Sequence, residues 1–232
     1  MPRQISCGDE ALIDGDFSDQ PVWDLPVRLF HWLLAALIFF SWWSIENHHD
    51  DWHIWSGLAI TTLLLFRLLW GFFGSSTARF GSFVRGPRTV RAYLKGQWRG
   101  AGHSPLGALS VLTLLGATAV QVGLGLFAED EDGLMTGPLS RLVSVDTADT
   151  AREIHEIWFY VLVGLIALHV GAILFYRLHG KPLIKAMITG KAKLEPGVAP
   201  MRRGRWWVAL ICLGIALGVT RWIVAGVPPF GP

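Results

Sequence analysis

An all-α membrane protein, a four-helix transmembrane bundle with a fifth C-terminal helix, is what three observations on this chain predict. Mean hydropathy is +0.42 and only 16% of the 232 residues are charged, against about 25% in an ordinary soluble domain. Five runs, near Leu25–Ile45, His53–Phe73, Leu106–Phe127, His155–Tyr176 and Trp206–Ala225, each approach the roughly 20 apolar residues that a helix needs to span a bilayer. Of the twelve tryptophans, Trp23, Trp42, Trp43, Trp52, Trp206 and Trp207 gather at run ends, where amphipathic rings anchor at the headgroup level; core packing is the other use of such rings.

Each element follows from its flanks. Residues 1–24 carry six acids and no apolar h-region, so they read as an acidic soluble tail rather than a cleaved signal peptide. The first and second runs are separated by "ENHHDD", a polar turn that no single helix carries through lipid. Between the second and third stand Arg67, Arg79, Arg85, Arg88, Arg91, Lys95 and Arg99 without an acid. Between the fourth and fifth, eight basic residues from Arg177 to Arg205 face Glu195 alone. The loop between the third and fourth is acidic, with Glu129 to Asp132, Asp146, Asp149 and Glu153 against Arg141 and Arg152. By the positive-inside rule the two basic loops and the N-terminus are cytoplasmic, and the acidic loop and the C-terminus are periplasmic. The chain then divides into the tail (1–24), a core (25–178), a basic surface segment (179–205) in which "LHGKPLIKAMITGKAK" lies along the membrane, and the fifth helix with its C-terminal end (206–232). No internal repeat, low-complexity tract or nucleic-acid-binding motif is present.

Histidines carry the chemistry. His155 and His169 stand fourteen residues apart at the two ends of one apolar run, about 21 Å of helical rise and close to four turns, so both rings leave nearly the same face at different depths. Under the topology above, His31 falls near the inner side, His53 and His155 on the outer side, and His169 back toward the inner side. Two levels result, His31 with His169 and His53 with His155. Bis-histidine ligation of iron in two stacked haems accounts for both. Taken singly, an interfacial histidine is as well explained by a bond to a backbone carbonyl. His169, however, sits inside "GLIALHVGAILF", where a polar ring is costly and marks a functional site. Zinc fits worse, because no carboxylate or thiol shares either level and two ligands leave its tetrahedron incomplete. Without a C-x-x-C-H, and with Cys7 and Cys212 far apart in character, the haems are non-covalent and no disulfide is expected.

The stretches "WDLPVRLFHWLLAALI", "WHIWSGLAITTLLLFRLLWGFFG", "GHSPLGALSVLTLL" and "HEIWFYVLVGLIALHVGAILFYRL" resemble the prokaryotic cytochrome b561 family, which includes the b-type cytochrome subunits of nickel–iron hydrogenases. The similarity runs from about Val22 to Lys193. It implies a four-helix di-haem core with iron ligands on the first, second and fourth helices, here His31, His53, His155 and His169. It also implies electron transfer between a redox partner and the membrane quinone pool, in a bacterial inner membrane. The fifth helix and acidic tail fall outside the shortest form of this pattern.

The remaining polar residues admit two readings each. His103, in "AGHSPLG" at the inner mouth of the third helix, is either bonded to the backbone or a quinone and proton-relay contact beside the inner haem. With an unperturbed pKa of about 6.5 it is the natural proton carrier there. His48, His49 and His179 read as solvated or headgroup-facing. Arg28, one turn before His31, and Arg67, at the inner end of the second helix, suit bidentate pairing with haem propionates; positive-inside anchoring also suffices. Gly57, Gly107, Gly116, Gly164 and Gly171 leave room for a neighbouring helix or a flat macrocycle.

Function then falls between a relay subunit and a self-sufficient oxidoreductase that passes an electron from superoxide to quinone. A substrate anion is drawn by a positive outer funnel, and these outer loops are acidic. That favours a relay whose outer partner, a c-type cytochrome, hydrogenase or dehydrogenase, carries a basic patch. A haem-free transporter or scaffold requires the histidine pairing to be accidental.

Overall fold

A computed structural model describes residues 19–84, 86–97, 100–130, 132–194 and 197–227. Five helices, α1 (Leu25–Glu46), α2 (Asp50–Phe73), α5 (Pro105–Phe127), α6 (Val145–Leu178) and α8 (Trp206–Val224), are long and apolar enough to cross a membrane. Short elements among the described residues are β1 (Asp19–Pro21), α3 (Phe80–Phe83), α4 (Pro87–Leu94), a single 3-10 turn (Ser140–Leu142), α7 (Leu183–Thr189) and β2 (Lys191–Lys193).

Local chemistry sets the helix starts. Asp24 caps α1 by accepting from the Val27 amide at 2.9 Å, with Pro26 in the first turn. Ser104 caps α5 through the Gly107 amide at 3.1 Å, ahead of Pro105. Both pair a side-chain acceptor with a residue pre-set for the first turn. Ser144 caps α6 in the same way through Thr147. That helix starts at Val145, ten residues before the position at which hydropathy placed it. The added turns carry Asp146, Asp149 and Glu153, yet bury Ala148 and Ala151. Hydropathy marks where lipid begins, whereas the cap marks where the helix begins, so His155 lies about three turns inside α6 rather than at its mouth.

The bundle is built from two antiparallel hairpins, α1–α2 and α5–α6, each closely packed, which touch one another more lightly through α2 and α5. Helix α2 is the centre: 44% of its most apolar window is buried, against 6–11% in the other four. Its far side takes α8. There Cys212 and Ala216 enter a cluster with Val27, Phe66, Trp70 and Ala78, and Thr62 and Thr220 share a hydrogen bond at 2.9 Å. Small side chains and an interhelical hydroxyl pair suit association in lipid, where apolar burial between helices gives no net drive.

One end of the bundle holds both basic loops, and the other the acidic loop. At the basic end β1 pairs antiparallel with β2, Asp19 opposite Lys193. Gly190, at φ +78°, ends α7 and accepts from the amides of Val22 and Trp23; a Cβ there stands 2.7 Å from the Trp23 carbonyl. Residues 19–24 are therefore built into this end of the fold, while the first eighteen residues of the acidic tail lie outside the described part. The helix α7 and strand β2 fall in the apolar, basic stretch read as surface-lying.

Candidate functional site

Helices α2 and α6 bring His53 and His155 together at the acidic end, ring centroids 6.0 Å apart and planes nearly perpendicular at 84°. With imidazole nitrogens about 2.0 Å from a metal, the centroids of two axial ligands stand on the order of 6 Å apart. Each ring is also oriented from behind. His53 Nδ1 donates to the Ser41 carbonyl at 3.0 Å, with Ser41 Oγ at 3.2 Å. His155 Nδ1 donates to the Gln121 carbonyl at 2.9 Å. Anchoring one ring nitrogen on a carbonyl is how proteins fix the tautomer that leaves the other nitrogen basic for a metal. On His155 that second nitrogen receives the Gln121 amide at 3.2 Å, and Gln121 Oε1 is buried without a partner. The amide therefore marks the lone pair that an iron would take.

The second pair is at the basic end. His31 and His169 lie within electrostatic range of one another. His169 Nδ1 meets Ser110 Oγ at 3.1 Å, and a buried ring nitrogen of His31 has no partner. Depth follows from the hairpin registers. The bonds Asp24–Trp70 and Ser41–His53 fix one alignment of α1 on α2 that sets His31 level with Leu63. The bonds Ser110–His169, Ala117–Trp158 and Gln121–His155 align α5 on α6.

Among the described residues no three His, Cys, Asp or Glu side chains converge on a common point. Two facing imidazoles with the remaining positions open suit a metal whose equatorial ligands a macrocycle provides. The residues present thus fit haem.

Other sequence expectations change. Arg28 does not face the histidine level: its guanidinium bonds to the carbonyls of Met187 and Ile188 near the end of α7, where the last helical carbonyls lack partners. Arg67 is 2% exposed, not a surface anchor, with its guanidinium over the Phe80 ring at 4.9 Å and Nη1 unpartnered. His103 lies between Trp23 and Phe83, centroids at 4.5 and 4.6 Å, and its Nδ1 is sealed and unpartnered. Burial first, and the nearby Arg67 charge second, push it down to about 3. The structure thus encloses His103 rather than leaving it open to water. His179 and His49 are exposed, as expected, with His179 bonded to the Phe175 carbonyl and His49 against the Trp52 ring.

Of the glycines singled out, Gly57, Gly116, Gly164 and Gly171 have nothing within 4 Å of the place a Cβ would take, so no helix contact explains them. Gly125 does have a neighbour: its Cβ position is 2.9 Å from His155 Cε1. Ser41, Ser110, Gln121 and Gly125 are the site residues that sequence reasoning missed. Gln121, an amide within an apolar run, was the visible signal.

The family model described as prokaryotic cytochrome b561 matches residues 22–190, which takes in both hairpins and α7 and leaves out α8. No curated protein and no solved structure matches the chain. A multi-pass helical membrane protein with paired histidines and this match is a haem-binding electron-transfer protein: the chain belongs to the prokaryotic cytochrome b561 family.

Proposed function

We propose that the protein carries electrons across the membrane through two non-covalent b haems, one held by His53 and His155 and the other by His31 and His169, between a redox partner at the acidic end and quinone near the basic end. The observation that carries this reading is the facing of His53 and His155 at 6.0 Å with both Nδ1 atoms already committed to backbone carbonyls. Bound haem supplies one-electron exchange at iron. The chain's own work is to orient the imidazoles through Ser41, Gln121 and Ser110, and to hold them at two depths. The acidic loop, with Glu129, Asp130, Asp132, Asp146 and Asp149, favours a partner with a basic face, such as a c-type cytochrome, a hydrogenase or a dehydrogenase.

Quinone is assigned to the basic end on the strength of the second histidine pair there. His103, enclosed between Trp23 and Phe83, is left out of the proposed proton path. Glu156, the competing acid-end relay, is exposed and paired to Arg152 at 2.8 Å. In purified full-length protein we expect low-spin b-type bands in the reduced-minus-oxidised spectrum and about two haems per chain. Quinol-driven haem reduction should proceed undiminished in Glu156→Gln. Loss of quinol reactivity in that variant would move quinone to the acidic end, and absence of b-type bands would remove the haem reading altogether.

Orientation has its own check. The basic loops favour a cytoplasmic position for that end, so a cysteine at Ser82 should resist impermeant reagents in intact cells, whereas one at Ser144 should react. The reverse pattern inverts the protein in the membrane.

A further inference from the structure

Among the described residues, buried polar atoms without a partner gather in the interior of the basic end, and two of them, beside a ring nitrogen of His31 and the Ser75 hydroxyl, come from different hairpins. Arg67 Nη1 belongs to a guanidinium that is 2% exposed, and His103 Nδ1 is sealed between Trp23 and Phe83. Both lie on the basic side of the His31–His169 level. In the α1–α2 register Arg67 is one turn beyond Leu63, the residue opposite His31. In the α5–α6 register His103 is seven residues beyond Ser110, the residue that touches His169. A guanidinium cannot shed its proton, and although Phe80 lies under it at 4.9 Å, its buried Nη1 is a charged donor left without an acceptor, which is costly. Asp24 relieves it only in part. Asp24 acts on Arg67 only at a distance, because its two oxygens are committed to the Val27 amide and the Trp70 indole, each at 2.9 Å.

We propose that Arg67 and His103 form a carboxylate clamp that receives a propionate of the haem held by His31 and His169, an inference that rests on the haem reading above. A carboxylate suits the pair better than a quinone carbonyl, because it neutralises the buried charge as well as accepting from the open donor. Lipid phosphate is an ill-suited source, because Arg67 is 2% exposed and His103 Nδ1 is buried. His103, neutral in the absence of the anion, serves as the second hydrogen-bond donor. Trp23 and Phe83 fix its ring plane. Asp24 is a positioning residue: through Trp70 it ties the start of α1 to the end of α2, on which Arg67 stands.

The test uses haem b and its dimethyl ester, which differ only in the free carboxylates. Full-length haem-free protein carrying His155→Ala, so that a single site remains, is titrated with each, and bis-histidine spectra report binding. The ester should bind about tenfold more weakly or worse, the loss expected for one charge-assisted hydrogen bond. Arg67→Gln should abolish that discrimination, Arg67→Lys should keep part of it, and His103→Gln should keep more than His103→Ala. If Arg67→Gln does not fold, Arg67→Lys decides by itself, because an unchanged preference for the free acid in it overturns the clamp. Equal binding of acid and ester by the parent also overturns it. Failure of both to give a bis-histidine spectrum in the parent and in the wild type strikes the haem reading instead.

Discussion

His169→Ala should halve the haem content, from about two per chain to about one, and the haem lost should be that of the basic end. His169 is the only member of the two pairs placed deep in an apolar helical stretch, and Ser110 on the neighbouring helix fixes its ring. Removing it would leave His31 alone to hold that haem. The opposite pair is untouched, since His53 and His155 take their orientation from Ser41 and Gln121, about four turns away along α6. His155→Ala should therefore do the reverse. Pyridine haemochrome quantification gives the stoichiometry, and potentiometric titration shows which of two transitions disappears. Both variants losing the same transition would mean that the histidines are paired wrongly. Mutating an axial ligand typically also costs far more than an outer contact, whose loss weakens metal affinity by about 10–100-fold, so a change smaller than that at either site counts against ligation.

Much of this arrangement can be read from the sequence, and what cannot has definable causes. Helix existence follows from hydropathy because lipid demands an apolar, internally hydrogen-bonded segment. Leu25 begins both its run and its helix, and Phe73 and Phe127 end theirs. The polar start of α6 escaped because those turns stand on Ser144 and two buried alanines, not on apolarity. The spacing of His155 and His169 gives their common face, since helical periodicity is a local property. Their partners' anchors are different. A serine in a helix ordinarily bonds back to its own preceding turn, as Ser44 and Ser56 do here, and only hairpin register reveals that Ser41 and Ser110 reach a histidine instead. Arg28 looked like a ligand-facing cation by helical spacing; its actual acceptors, Met187 and Ile188, belong to a segment remote in the chain. His103 looked titratable because the rings that enclose it, Trp23 and Phe83, come from other segments.

Gly125→Val should remove or convert to high spin the haem of the acidic end while sparing the other. A Cβ at Gly125 stands 2.9 Å from His155 Cε1 and 3.2 Å from Nδ1, and the two methyl groups of valine add to that overlap. The ring has no free direction of retreat, for its Nδ1 is bonded to the carbonyl of Gln121, one turn earlier on the same helix as Gly125. Relief therefore means breaking that bond, and a buried polar group left without its partner costs about 1–3 kcal/mol. It also turns the imidazole away from His53. Gly123→Val is the control. It makes the same change of residue type on the same helix, with the same small change in helix propensity, but nothing lies within 4 Å of its Cβ position. The comparison thus isolates the contact from the helix. Optical spectra and haem quantification of the two purified variants decide the matter: acid-end haem lost in Gly125→Val and both haems kept in Gly123→Val is the expected pair of results. Two intact low-spin haems in Gly125→Val, with unshifted potentials, would show that His155 does not hold iron from the position it occupies against α5.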